Sequence, residues 1–440
     1  MNRTRSVARG GRPSGASKTK ASRVSRTSKK KTVSSRARKS GIYVPAARML
    51  KKYSEVLVNF ALNGGEGIKK GDVVYLAAQQ PGLPLAKAIY KTILEAGAHP
   101  IVNVIDDDFK LLQVTNASHN QLTFFPGKYY RGLADTIDHW IRVVADEEPM
   151  YLKSADPAKV LLSNQAARTF REWLDEKEDQ GKFTWTLCLY ATERMAEEAG
   201  LTLREYWGQI AKACFLNEAN PVVKWRRVFR DLQGVLDRLN ALPIDRLHVV
   251  SKGTDLWITL GEKRKWLGGS GRNIPSFEIF TSPDWRGTEG HISFDMPLYR
   301  YGNVIKDIRL EFKNGRVSKS SASKNERMLK ELIKQKNADK VGEFSLTDIR
   351  FSKISKFMAE TLFDENFGGK HGNTHIAVGK SYHDTYAGNT SKMTEAQFAK
   401  LGFNHSQEHT DIISTADRTV TAVLKDGTET VIYRKGKFVI

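Results

Sequence analysis

The apolar positions of this chain change rhythm part-way along it. In the first half, short apolar runs alternate with stretches of helical spacing. Residues 72–78 (Asp-Val-Val-Tyr-Leu-Ala-Ala) form a β-branched apolar run and predict a buried strand. Leu85, Ile89, Ile93 and Leu94 recur at helical spacing, which predicts a helix over 85–96 ended by Gly97. Residues 100–105 (Pro-Ile-Val-Asn-Val-Ile) predict a second strand. Strand, helix and strand with short links make a βαβ unit, the signature of a parallel sheet. Further helical patterns cover 133–146, 157–175, 192–199, 203–217 and 221–240, with a strand-like run over 183–189. Residues 43–245 are therefore expected to form an α/β N-terminal domain.

From His248 the period drops to two. Leu256, Ile258 and Leu260 alternate with Trp257 and Thr259, and Ile292, Phe294 and Met296 alternate with polar neighbours. Ile308, Leu310 and Phe312 lead to Asn314-Gly315, a strong hairpin signal between alternating strands. A charged helix is expected over 322–340, and a three-stranded meander over 419–440 turning at Asp426-Gly427 and Lys435-Gly436. Residues 246–440 are expected to form an α+β domain, mainly antiparallel.

Composition changes this picture in one place. The net charge is +21, but residues 1–40 hold 14 of the 70 basic residues and none of the 49 acids. The remaining 400 residues carry 56 bases and 49 acids, a net of +7. Residues 1–40 also lack aromatics and nearly all large aliphatics, so they are expected to be a disordered basic tail. Two roles stay open for it: a solubilising tail, or a polybasic contact for polyanions or a membrane surface. Without stacking side chains such a contact would be electrostatic, and no specific nucleic-acid recognition is expected. The tail is Arg- and Ser-rich like a transit peptide but draws no amphipathic stripe. Two cysteines, Cys188 and Cys214, exclude a disulfide scaffold and a four-cysteine zinc module, and point to a reducing cytoplasm. No apolar run reaches the length of a membrane-spanning helix, and no secretory signal core is present.

Familiar catalytic motifs are missing. There is no His-Glu-x-x-His, no Gly-x-Ser-x-Gly, and Gly379-Lys380-Ser381 lacks the earlier glycine of a phosphate loop, Thr374 standing there. The glycine-rich run 268–271 is expected to be a flexible turn. Of ten histidines, His291, His371, His375, His383, His405 and His409 lie between 291 and 409. In His409-Thr410-Asp411 an extended backbone would put imidazole and carboxylate on one face, a half-shell suited to zinc, cobalt or manganese.

Several ordered segments carry a resemblance. Residues 271–283 (Gly-Arg-Asn-Ile-Pro-Ser-Phe-Glu-Ile-Phe-Thr-Ser-Pro), 341–344 (Val-Gly-Glu-Phe), 362–366 (Leu-Phe-Asp-Glu-Asn), 374–379 (Thr-His-Ile-Ala-Val-Gly) and 409–411 resemble the thermophilic metallo-aminopeptidases of the aminopeptidase T and aminopeptidase S type. Residues 71–74, 95–100 and 253–256 fit as well, so the resemblance runs from about Tyr43 to the C-terminus. It implies metal ligands at Glu278, Glu343, His375, His409 and Asp411, and a functional tyrosine at Tyr382 that either coordinates a metal or contacts the reacting carbonyl. It further implies two divalent ions (zinc, cobalt or manganese), peptide substrates cleaved at their N-termini, and a homodimer. Three carboxylates against two dications leave a net positive site able to bind hydroxide and polarise a carbonyl. Glu343 is then either a bridging ligand or the group that takes up a proton. Asp364 and Glu365 are open between orienting a ligand imidazole and serving a turn. The Gly-rich linker before His375 is longer than the family's and offers His371 as a rival, but Ile376-Ala-Val-Gly follows His375 in register. His383 would point away from Tyr382, His291 and His405 are expected at the surface, and Phe277 is expected in the core or at a pocket wall. Other metal-dependent hydrolysis on the same scaffold and polyanion binding through the tail are the alternative functions.

Overall fold

Val73–Gln79 follows the tight turn at Gly71 and forms an inner strand of a parallel sheet. The computed structural model describes residues 43–148, 151–152, 155–269, 271–300, 303–390 and 393–440. The disordered tail and polyanion contact expected over 1–40 lie outside the described residues. The sheet runs His99–Ile105, Val73–Gln79, His139–Val144, Thr184–Leu189 and Asn273–Ile274, all parallel. Val74, Leu76 and Ala78 face one apolar cluster with Leu85, Ile89 and Ile93 of the helix Leu83–Glu95. Tyr75 and Ala77 face a second cluster with Leu133, Ile137, Phe170 and Leu174. Cover on both faces is what a parallel sheet needs.

Three helical expectations change. The helix over 133–146 does not form as such: Gly127–Thr136 is helical, and His139–Val144 is a strand. Within it His139, Ile141 and Val143 are buried in alternation, a period of two hidden beside the helical spacing. Its neighbours Val73–Gln79 and Thr184–Leu189 both need backbone partners, and this segment lies between them. The stretch 157–175 divides into Pro157–Ala166 and Arg168–Asp179, and the charged helix over 322–340 shortens to Glu326–Ile333. Sequence patterning did not single out the helices Ala47–Asn59 and Asp107–Asn116.

Beyond residue 244 the strands are antiparallel, apart from Asn273–Ile274. An eight-stranded sheet runs from Arg316–Ser321 through Ile308–Lys313, Asp284–Phe294, Thr254–Thr259, Ile244–Ser251, Arg418–Leu424 and Glu429–Arg434 to Lys437–Phe438. The Asn314-Gly315 hairpin and the C-terminal meander are as expected. A second antiparallel sheet has the order His409–Ser414, Asn373–Gly379, Val341–Thr347, Glu278–Thr281 and Leu267–Gly268. Its two central strands are buried along their whole length. Among the described residues, no helix is long and apolar enough to cross a membrane.

Candidate metal centre

Register decides which side chains meet in this buried sheet. Glu343 pairs with Ala377 and Ala377 with Asp411; Ser345 pairs with His375, Gly379 with His409, and Thr347 with Glu278. Directly paired residues share a face, and so do residues two apart. Glu278, Glu343, His375, His409 and Asp411 therefore all project from one face. The opposite face carries Ile279, Phe344, Leu346, Ile376, Val378 and Ile412, all fully buried in the core. Ala377 and Ser345 are small, and the space beside them lets the long polar side chains converge. Gly379 has φ +110°, and a Cβ there would meet the Glu408 carbonyl at 2.1 Å. Only glycine lets the strand carrying His409 come this close.

The convergence is tight. His375 Nε2 lies 2.9 Å from Glu343 Oε1, 3.3 Å from Glu278 Oε2 and 3.8 Å from Asp411 Oδ1. His409 Nε2 lies 3.4 Å from Asp411 Oδ1 and 3.8 Å from Glu343 Oε2. His409 Nδ1 is 2.9 Å from the Lys380 carbonyl, to which it donates, so its Nε2 faces the cluster and offers a lone pair once its proton has left. Two groups have metal-binding spacing: Glu278, Glu343 and His375, and Glu343, His409 and Asp411. Glu343 belongs to both.

The donor set fits divalent cations. Three carboxylates and two imidazoles are the ligands that zinc, cobalt and manganese accept. Asp411 Oδ1 is buried without a hydrogen-bond partner among the described residues, an acceptor that a cation would satisfy. Without a cation the cluster balances its charge with protons. Burial, then the Glu343 carboxylate, lifts Glu278 to about 8. Burial works against the protonated imidazoles, but the hydrogen bond from His375 to Glu343 and the nearby Asp411 outweigh it and lift His375 to about 9. Burial likewise opposes a charged His409, yet the adjoining Asp411 carboxylate lifts it to about 9. Burial would raise Asp411, but His409 and then His375 hold it down at about 2.

Residues 46–438 match the family model described as thermophilic metalloprotease (M29). The chain belongs to this family. Aminopeptidase AmpS of Bacillus subtilis is 30% identical over 421 residues, covering 89% of this chain and 98% of that protein. Aminopeptidase T of Thermus thermophilus is 28% identical over 414 residues, covering 89% and 99%. The solved structure of wild-type AmpT from Thermus thermophilus superposes with a TM-score of 0.75 at 26% identity, over 89% of this chain and 99% of that one.

The other candidates of this M29 chain fall into place around the cluster. Tyr382 lines the same pocket, its ring 4.8 Å from that of His409 and 5.9 Å from that of Phe280. Burial and the surrounding carboxylates, Glu343 foremost, raise its phenol, so it stays a neutral donor. His371 lies outside the cluster, 3.7 Å from Asp417. His383 stacks on Phe398 at 3.6 Å, His405 is exposed beside Glu395, and His291 sits in the eight-stranded sheet. Phe277 is a core residue, stacked on Trp225 at 5.1 Å.

Asp364 and Glu365 separate. Asp364 accepts from the backbone N–H groups of Met358 and Glu360 and shapes a turn. Glu365 lines the pocket, and burial, then Glu278, Asp411 and Glu343, raise its carboxyl well above the usual range. Next to it Asn366 accepts from the N–H groups of Phe277 and Glu278, which clamps the Glu278 strand in place. Gly268, from the run expected to be a flexible turn, has a structural role. Gly268 pairs in the sheet and lines the pocket, and a Cβ there would meet the Glu278 carbonyl at 2.1 Å. Arg272, Asn273 and Asp384 also line the pocket; sequence patterning carried no signal for them.

Proposed function

We propose that this protein is a two-metal aminopeptidase that removes single residues from peptide N-termini. The observation that carries the reading is the pair of overlapping triads that share Glu343. One cation would be held by Glu278, Glu343 and His375, the other by Glu343, His409 and Asp411. Bound there, divalent ions supply a water of lowered pKa and polarise a carbonyl. Glu365, a buried carboxyl on the pocket wall, would move a proton without serving as a ligand, and Glu343 is the other group that would do so. Tyr382 would donate its hydroxyl to the oxyanion that forms on the scissile carbonyl. Membership of a metalloprotease family and two relatives called aminopeptidases support the substrate class. A homodimer in the cytoplasm, with residues 1–40 dispensable for hydrolysis, completes the reading.

The test is a panel of aminoacyl p-nitroanilides with zinc, cobalt or manganese restored to metal-depleted protein, and their N-acetylated counterparts as controls. Release of the aryl amine from free-amine substrates alone, with two metal ions per chain, is the expected result. Bound metal with no hydrolysis of any member would turn the reading towards a different metal-dependent hydrolase.

A further inference from the structure

The metal pocket does not end at its own walls. It shares Trp185, Gly268, Arg272, Phe280 and Asp384 with a neighbouring cavity, and these residues form the doorway between the two. Asp384 Oδ2 lies 2.9 Å from Arg272 Nη1, and Arg272 Nη2 lies 2.9 Å from Glu178 Oε1. The chain of carboxylate, guanidinium and carboxylate fixes Asp384 in orientation. Asp384 Oδ1 is buried and has no hydrogen-bond partner among the described residues. A buried acceptor left unmatched is costly, more so when charged. Past the doorway the second cavity adjoins a third across Glu178, Phe183 and Trp185, where Trp140 and Leu174 add apolar wall.

We propose that the part of a peptide beyond its scissile bond leaves the metal pocket through this doorway and donates a backbone N–H to the Asp384 carboxylate, whose side chain is 37% exposed. Arg272 and Glu178 are positioning residues for that carboxylate. An extended peptide offers one such N–H per residue, and the aromatic wall suits apolar side chains. The preferred substrates are then peptides with two or more residues after the cleaved bond, apolar ones among them. This rests on the peptidase reading of the metal centre.

The metal-loaded protein is assayed on leucyl p-nitroanilide, which has no backbone beyond the cleaved bond, and on a leucyl tetrapeptide. In Asp384→Ala the ratio of kcat/KM for the tetrapeptide to that for the anilide should fall about ten-fold, mostly through KM, as expected for a hydrogen bond to a charged group. Asp384→Asn, which keeps an acceptor oxygen, should fall less. A variant-free arm uses wild-type protein and tetrapeptides N-methylated at either amide beyond the cleaved bond; one of the two should lose about ten-fold. A wild-type ratio in Asp384→Ala, equal losses on both substrates, or indifference to both N-methyl groups would overturn the doorway while leaving the peptidase reading intact. Hydrolysis of neither substrate by the wild-type protein would sink the peptidase reading and the doorway with it.

Discussion

Cation binding at this centre should expel protons, and their number follows from the burial of the cluster. In the metal-free protein His375 and His409 stand near 9 and Glu278 near 8. At neutral pH all three hold a proton that must leave before the group can act as a ligand. Each histidine then opposes binding by about 3 kcal/mol, at roughly 1.4 kcal/mol per unit of pKa, and Glu278 by about half as much. Affinity should climb by about three decades per pH unit near neutrality, by about two between Glu278 and the histidines, and level off above them. Chelator competition with zinc or cobalt across this range measures the slope, and calorimetry in buffers of different ionisation heat counts the protons. An affinity flat with pH, after allowance for hydrolysis of the metal itself, would refute the reasoning. It would mean that the histidines are already neutral. The same shifts act on folding. A histidine raised from 6.5 to about 9 stabilises the metal-free fold below 6.5, and that contribution disappears as pH rises through 9. Glu278, raised from 4.5 to about 8, acts in the same direction over its own window. Metal-free protein should therefore melt lower at alkaline than at neutral pH, while the gain in melting temperature from added metal grows.

Glu343→Gln removes the carboxylate common to both triads and should lower activity more than about 100-fold together with metal content, read by hydrolysis and elemental analysis. Retained metal with lost activity would instead make Glu343 the proton carrier. Tyr382→Phe should reduce kcat by about 100-fold with metal retained, as for loss of an oxyanion donor, and metal loss in the same variant would mark the tyrosine as a ligand. Ala377→Leu fills the space between Glu343 and Asp411; overpacking should destabilise the metal-free protein by ~1–3 kcal/mol and weaken metal binding, whereas an unchanged melting curve and metal content would show that the space is not needed.

The period-two pattern at His409 and Asp411 was readable because both residues lie on one short strand. That they meet Glu278, Glu343 and His375 was not readable from spacing, since it depends on register across four strands. Only the resemblance linked those segments in advance. Glu365 and Asp364 are adjacent in sequence and differ in role because the chain turns between them, which patterning cannot show. His139–Val144 was hidden because a buried parallel strand and a short helical stretch carry similar apolar content. Asp384 and Arg272 escaped notice for another reason. An isolated charged residue has no periodicity, and the pairing of Arg272 with Glu178 and with Asp384 joins segments about a hundred residues apart.

The last strand of the parallel sheet, Asn273–Ile274, comes well after the other four. Until it arrives, Leu187 and Cys188 have no neighbour on that side, and the N–H of Leu187 lacks the Arg272 carbonyl. On a ribosome adding ~5–20 residues per second, the stretch from the end of Thr184–Leu189 to this strand takes roughly four to seventeen seconds. For that interval the nascent sheet presents a raw edge open to pairing with other chains. A fragment ending near residue 245 would keep that edge permanently. It should be prone to self-association, and supplying residues 267–281 as a separate peptide should suppress it.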